Sequence, residues 1–256
     1  MKQILLSIIL VILPFSILAQ EYNEKVIIEK LVYKGYYSLG FIWIKGGYCT
    51  LKTSRTNLYP NSDKMIMIAQ SSNAADLVFK LRDTLISYHD KDLLKTYKFQ
   101  RNAHEGGYDK TFDYDFNYEK NISICKVQKY NEYKVVDTIQ LIPEFYDMMT
   151  LIKYLRNLDY TKLKEGDIIP IKAIIDREIH KLYIRYRRKE TQKVKGIKYR
   201  CFLFTPVLLK GSVFRGGEDM KIWITDDKYK LPILVEAKVL VGSLKGELQL
   251  SKSTYR

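Results

Sequence analysis

The chain has 256 residues and a formal net charge of +14, from 43 Lys and Arg against 29 Asp and Glu. It is long enough to bury a sizeable core, and it has no Pro/Ser-rich linker and no internal repeat, so we expect one domain. A basic surface would suit nucleic acid in a cytosolic protein. The start of the sequence favours export instead, so nucleic acid is excluded as an expected partner.

The N-terminus has the three-part pattern of a secretory signal peptide. Lys2 precedes an apolar run from Ile4 to Phe15, and a short segment then ends at Ala19. The run is shorter than the about 20 residues that span a bilayer. We therefore expect residues 1–19 to be removed, leaving residues 20–256 as a single β-rich domain without a transmembrane span. The mature protein is expected in the periplasm, or otherwise soluble in the cell envelope.

Most of the remaining chain alternates between apolar and polar residues, which is typical of half-buried strands. Gly, Asn and Asp residues separate the alternating segments, as expected for short turns. Strands are predicted at 29–34, 41–52, 64–70, 84–89, 96–104, 111–118, 122–129, 168–175, 181–188, 197–204, 221–225, 232–240 and 245–250. Short connections between serial strands predict an antiparallel meander.

One segment has helical periodicity. From Pro143 to Asn157 the apolar residues recur at intervals of three and four, and Pro143 suits a first helical position. One helix cannot cover both faces of a large sheet, so the sheet must curl around it. The predicted fold is therefore mainly β, a single curved antiparallel sheet or open half-barrel of about a dozen strands wrapped around a helix at 143–157.

Several blocks of the sequence resemble one known family. They are EKLVYKGYYSLGFIWIKGG, RDTLISYHDKDLLKTYKFQRNAHEGGY, YDMMTLIKYLRNLDY, KGIKYRCFLFTPVL and GSVFRGGEDMKIWITDDKYKLPILVEAKVLVGSLKGEL. These blocks are similar to exported bacterial proteins called domain of unknown function 3108, common in Bacteroidetes, and WITDDKYKLP is the most specific part. The family implies no particular activity. Its fold resembles the LolA-like half-barrels of periplasmic lipoprotein carriers, which cradle an acyl chain.

Aromatic residues and methionines suggest an apolar binding groove. Such side chains repack around irregular ligands, but they are more often simply part of a filled core. The candidate ligand-binding residues are Tyr36, Trp43, Phe145, Met148, Met149 and Trp223. The expected ligand is a lipid or another amphipathic molecule.

Cations concentrate on one predicted hairpin. Lys181, Arg185 and Arg187 alternate with apolar residues on one strand, and Lys198 and Arg200 lie on the next. If the paired strands place them on one surface, they could meet lipid phosphate or an acidic envelope glycan. The alternative is the solvated face of an amphipathic hairpin.

Asp226 and Asp227 are the natural candidates for chemistry. Two adjacent carboxylates could supply an acid and a base or contribute to a calcium site, but they lie between two predicted strands, where carboxylates cap turns. The three histidines, His89, His104 and His180, are far apart in the sequence. We therefore expect no metal site and no cofactor.

Three functions remain open. The first is a non-enzymatic envelope protein whose curved sheet binds an apolar or amphipathic ligand or another envelope protein. The second is an enzyme that acts on envelope glycan or lipid through Asp226 and Asp227. The third is a purely structural or adhesion module. A continuous apolar groove would favour the first, converging carboxylates the second and a filled core the third.

Overall fold

The computed structural model describes residues 26–39, 42–77, 79–129, 134–210 and 214–255. The predicted signal peptide, Met1 to Ala19, lies outside these residues. None of the helices in the described ranges is long and apolar enough to cross a membrane.

Within these described ranges, fourteen strands form a single antiparallel sheet. They are β1 (Ile27–Leu39), β2 (Ile42–Thr56), β3 (Ser62–Ser71), β4 (Arg82–Asp90), β5 (Thr96–Glu105), β6 (Tyr108–Asn117), β7 (Ile122–Lys129), β8 (Val135–Gln140), β9 (Ile168–Ile175), β10 (Glu178–Val194), β11 (Ile197–Pro206), β12 (Met220–Thr225), β13 (Pro232–Lys238) and β14 (Ser243–Leu248). The prediction of a mainly β, antiparallel fold is confirmed.

The strand order is two meanders joined at the chain ends. It runs from β8 back to β1 and then from β14 back to β9, and β1 pairs with β14 through Tyr33 opposite Leu248. Strands β8 and β9 are the two edges of the sheet, which is not closed into a barrel. The first and last strands therefore lie at its centre, and the segment between β8 and β9 spans the opening.

In the part of the chain that the structure describes, two α-helices interrupt the strands, α1 (Asn73–Asp76) and α2 (Met148–Asn157). Helix α2 is the predicted helix, but it begins five residues later than Pro143. Asp147 is its N-cap and accepts hydrogen bonds from the Met149 and Thr150 amides at 2.6 and 2.9 Å. The residues before the cap are not helical: Pro143 and Glu144 form a bend, with Glu144 at φ +56°, and Tyr146 forms a parallel bridge with Ala173 of β9. The cap and this bridge together determine where the helix starts.

Helix α2 separates two apolar clusters. Its residues Met148, Met149 and Ile152 pack with the first cluster, which includes Leu31 of β1 and Leu85 of β4. The opposite side of the helix packs on the second cluster, formed mainly by β9 to β12; these helix residues are Leu151, Tyr154 and Leu155. We call the face of the sheet that carries Leu31 and Leu85 the concave face. The helix therefore occupies the interior of the curl.

Candidate functional site

Four of the six predicted ligand-binding residues belong to the core. Phe145, Met149 and Trp223 are buried, and Met148 is half-buried against the first cluster. Phe145 stacks on Phe116 with ring centroids 5.7 Å apart. The Trp223 ring nitrogen donates a hydrogen bond to a Glu190 carboxylate oxygen at 2.6 Å. These four side chains fill space between elements.

The other two, Tyr36 and Trp43, lie together at the opposite end of β1 and β2 from the helix contacts. The Lys245 ammonium group lies 5.1 Å from the Tyr36 ring centroid and 4.6 Å from that of Trp43. The predicted set therefore divides between the core and a surface site. Two surface hollows, of about 580 and 260 Å³, are lined by other residues.

The predicted cation patch is also divided. Arg185 pairs with Thr205 of β11, whereas Arg200 lies four residues from Phe204, which pairs with Tyr186. Because directly opposed residues share a face of the sheet, Arg185 and Arg200 point to opposite faces.

The individual cations of this set have different surroundings. Arg185 and Arg187 both bind Glu218, the former at 2.9 Å. Lys181 is exposed on the same face as Arg185. Lys198 and Arg200 share the other face, where Arg200 lies 3.5 Å from Asp226. The five cations do not form one surface.

Asp226 and Asp227 have separate structural partners. Asp226 forms ion pairs with Lys189 at 3.1 Å and with Arg200. Asp227 accepts hydrogen bonds from the Thr225 hydroxyl and from the Tyr229 and Lys230 amides, all within 2.9–3.0 Å. Asp227 caps the turn between β12 and β13, in agreement with the turn interpretation.

The cysteines are strand residues with free thiols; Cys125 and Cys201 are buried and Cys49 is half-buried. Burial raises the pKa of each thiol to about 11. Across the described ranges, no three His, Cys, Asp or Glu side chains are grouped as metal ligands. His89 is buried beside Lys153, and burial together with this ammonium group lowers the pKa of its imidazole to about 4.

A surface site that the sequence analysis missed surrounds Trp43. It is made of exposed apolar side chains at the ends of β1, β2, β13 and β14, which we call the tip patch. Its members are Ile42 (72% exposed), Trp43 (41%), Ile44 (45%), Leu240 (46%), Val241 (62%) and Leu244 (39%). Contiguous exposed apolar residues mark interaction surfaces more often than scattered ones do. The signal in the sequence is the loss of alternation in Ile42-Trp43-Ile44 and Val239-Leu240-Val241.

The tip patch has apolar side chains on both faces of the sheet. Ile44 and Leu244 flank Tyr37 on one face, whereas Trp43 flanks Ser38 on the other. The Tyr37 hydroxyl donates a hydrogen bond to the Val241 carbonyl at 3.0 Å, which fastens the β13–β14 turn to β1. A Cβ on Gly242, whose φ is +80°, would lie 2.0 Å from the Ser38 carbonyl oxygen. Glycine thus permits this close approach of the turn.

The chain segments that form the tip patch carry lysines and no carboxylates. The sequence contains no Asp or Glu from Lys30 to Ser62 or from Lys238 to Lys245. Lys45 and Lys245 flank Tyr36 in neighbouring strands. Lys245 forms an ion pair with Glu247 of the same strand at 3.2 Å and lies directly opposite Glu236 of β13.

A second cluster missed by the sequence analysis lies on the concave face at the same end of the sheet. Arg101 of β5 binds Glu105 at 2.6 Å and lies 3.7 Å from Asp83 and 3.4 Å from Asp176. Asp176 belongs to the β9–β10 turn, which therefore contacts the other half of the curl. Burial, followed by the neighbouring Glu105, raises the pKa of Asp83 to about 7.

Replacing Asp83 by asparagine is expected to flatten the fall in stability with rising pH. In the unfolded chain the carboxyl loses its proton near its ordinary pKa of about 4, but in the folded protein it does so only near 7. The folded state thus holds the extra proton between these values, and the free energy of unfolding falls as pH rises through this window. An asparagine at this position would not titrate and could still accept the His104 amide bond. We compare the free energy of unfolding of the variant with that of the wild type. Allowing for solvent screening, we expect this difference to favour the variant by about 1–3 kcal/mol more at pH 7 than at pH 4.

Urea unfolding at pH 4 and pH 7 measures this difference. Glu119→Gln is the matched control, because it removes an exposed carboxylate in the β6–β7 turn. Its free energy of unfolding should change between pH 4 and pH 7 by the same amount as that of the wild type. If Asp83→Asn changes the free energy of unfolding equally at both pH values, Asp83 titrates alike in the folded and unfolded chain and the prediction is wrong.

The fold and these surfaces define a class of protein: a single antiparallel sheet curled around a helix whose first turn is buried, with an exposed apolar tip. The chain belongs to the family described as protein of unknown function (DUF3108), whose model matches residues 32–249. No curated protein matches the chain significantly.

A solved structure resembles the fold. It is described as a beta-barrel-like protein of domain of unknown function DUF1849 from Brucella abortus. The TM-score is 0.56 at 7% sequence identity, over 91% of this chain and 99% of that chain. At this identity the likeness shows the fold alone.

Proposed function

We propose that this chain is an exported, non-enzymatic protein of the cell envelope, and that residues 20–256 act as one domain that binds an amphipathic envelope partner through the tip patch. The observation that carries the proposal is the exposure of Trp43, Ile44 and their apolar neighbours on both faces of adjacent strands. Keeping such residues in water has a free-energy cost that a partner would remove.

The packing of the interior supports the tip patch over the groove as the binding surface. Met149 is fully buried, and Phe145 belongs to the same apolar cluster. An acyl chain inside the curl would have to displace this helix segment. The separate partners of Asp226 and Asp227 likewise give no support to the alternative of a glycan- or lipid-cleaving enzyme.

The proposal of export rests on the N-terminal pattern of Lys2, the apolar run and Ala19. It is tested by the intact mass of the protein recovered from fractionated cells. The expected chain begins at or close to Gln20, and a retained Met1 would contradict export.

Binding through the tip patch is tested in the same cells with the double variant Ile44→Ser/Val241→Ser. Both side chains are exposed, so the variant should fold. Leu93→Ser is the matched control, because Leu93 is 68% exposed in the β4–β5 turn at the other end of the sheet. We expect the wild type and the control to sediment with washed envelopes and the tip variant to be released. Equal distribution of all three would overturn the proposed binding surface.

A further inference from the structure

Building on the proposed function, we propose that the partner of the tip patch is the surface of a phospholipid bilayer that contains anionic lipid. The tip patch would enter the boundary between headgroups and acyl chains, with the adjacent lysines at the level of the phosphates. The shape of the patch, its residue types and its charge all favour this partner.

The shape favours a medium that surrounds the tip over a flat protein surface. Ile44 and Leu244 point to one side of the sheet and Trp43 to the other, while Val241 lies at the turn beside them. A flat partner could cover only one of these two faces. Insertion of the strand ends into a bilayer would remove both faces from water at once, and the free-energy gain scales with the apolar area removed.

The residue types match a membrane interface. Tryptophan and tyrosine are enriched at the boundary between headgroups and hydrocarbon, where one part of the ring is apolar and another is hydrated. Tyr36 and Tyr37 lie near the end of β1, and Trp43 lies at the start of β2. Lysines beside an apolar surface extend their ammonium groups toward the phosphates. Lys245, which already covers the rings of Tyr36 and Trp43, has this position.

The charge selects an anionic surface and disfavours a second copy of this chain. Lys45 and Lys245 border the patch on one face, and Lys238 lies at the end of β13, 3.7 Å from Asp219. Two copies joined tip to tip would bring these lysines together, and like charges in contact repel each other. Anionic headgroups would instead attract them, each basic residue near the surface contributing a factor of about five in affinity.

The two tryptophans of the chain make the proposal directly measurable. Trp43 is exposed in the tip patch, whereas Trp223 is buried and bound to Glu190. Protein purified from envelopes is titrated with vesicles of phosphatidylcholine containing about one third phosphatidylglycerol. We expect the tryptophan emission to move to shorter wavelength and to be quenched by bromine-labelled acyl chains. The Trp43→Phe variant, which retains Trp223, should show neither change.

Two comparisons separate the contributions of charge and apolar burial. Pure phosphatidylcholine vesicles should bind several-fold more weakly, as should anionic vesicles in about 1 M salt, where the Debye length is only about 3 Å. Ile44→Ser/Val241→Ser should lower the partition coefficient by about tenfold or more, while Leu93→Ser should leave it unchanged.

The outcomes distinguish this inference from the proposed function beneath it. If the tip variant is released from envelopes but Trp43 of the wild type does not respond to anionic vesicles, the partner is a protein or a glycan, and the bilayer inference is wrong. If light scattering shows a dimer that Ile44→Ser/Val241→Ser dissociates, the patch is covered by a second copy and the inference is also wrong. Equal partition of the wild type and the tip variant onto anionic vesicles, without a change in Trp43 emission, would place membrane binding elsewhere on the chain.

Discussion

Replacing Arg156 by methionine is expected to lower the free energy of unfolding by about 3–5 kcal/mol. The Arg156 guanidinium group, near the C-terminus of α2, binds both carboxylate oxygens of Glu29, at 2.7 and 2.8 Å. It also donates to the carbonyls of Lys230 and Tyr229, at 3.0 and 2.9 Å. Methionine keeps the stem of the side chain but leaves the Glu29 carboxylate, which is largely buried, without its cation. A buried carboxylate left without its cation lowers stability by more than the ion pair itself contributes.

The control for this variant is Arg200→Met, because Arg200 is an exposed arginine that lies 3.5 Å from Asp226. Exposed pairs contribute about 0–1 kcal/mol, so urea unfolding should barely change. The double variant Glu29→Gln/Arg156→Met should recover part of the loss, because it removes the unpaired charge. A loss in Arg156→Met no larger than in Arg200→Met would show that α2 is not anchored through this contact.

The sequence predicts the strands well because period-two alternation is a local property. β8 is the strand that was missed, and the reason is physical. It is an edge strand, and Val135 and Val136 are both exposed while Ile139 is buried. A strand paired on one side, with consecutive exposed apolar residues, does not produce a clean alternation.

The composition of a shared surface is harder to predict than the strands, because it depends on register. Lys198 and Arg200 could be assigned to the same surface as Arg185 only if the hairpin were paired one residue differently. In the structure, the β10–β11 register shifts between Tyr186 and Arg188. Register is decided by the turn and by long-range packing, and a change of one residue moves every side chain to the opposite face.

The tip patch was missed for a related reason. The sequence predicts Trp43 as a groove-lining or core residue, because large aromatic side chains are usually covered in a folded protein. Whether a layer covers a given strand end depends on where α2 lies, and its side-chain contacts are with other parts of the sheet. The loss of alternation around Ile44 was visible in the sequence, but its meaning required knowing that nothing in the described ranges covers it.

Met149→Ala is expected to cost about 2–5 kcal/mol, and this variant decides between a filled interior and a ligand slot. Met149 has no exposed surface, and it lies two residues after the cap at Asp147, whose carboxylate also binds the buried hydroxyls of Ser87 and Thr96. The helix therefore cannot shift easily to fill the space that alanine would leave. The cavity would persist, and its cost would add to the lost apolar burial.

The matched control is Met148→Ala, since Met148 is the neighbouring residue in the same first turn but is only half-buried. Its loss should be clearly smaller, because solvent and exposed side chains can occupy part of the vacated space. Native mass spectrometry of both variants, purified from envelopes, measures any bound lipid. A loss below about 1 kcal/mol in Met149→Ala, together with a co-purifying lipid that this substitution removes, would mean that Met149 lines a ligand slot. In that case the interior, rather than the tip patch, would be the place where this fold meets the lipid.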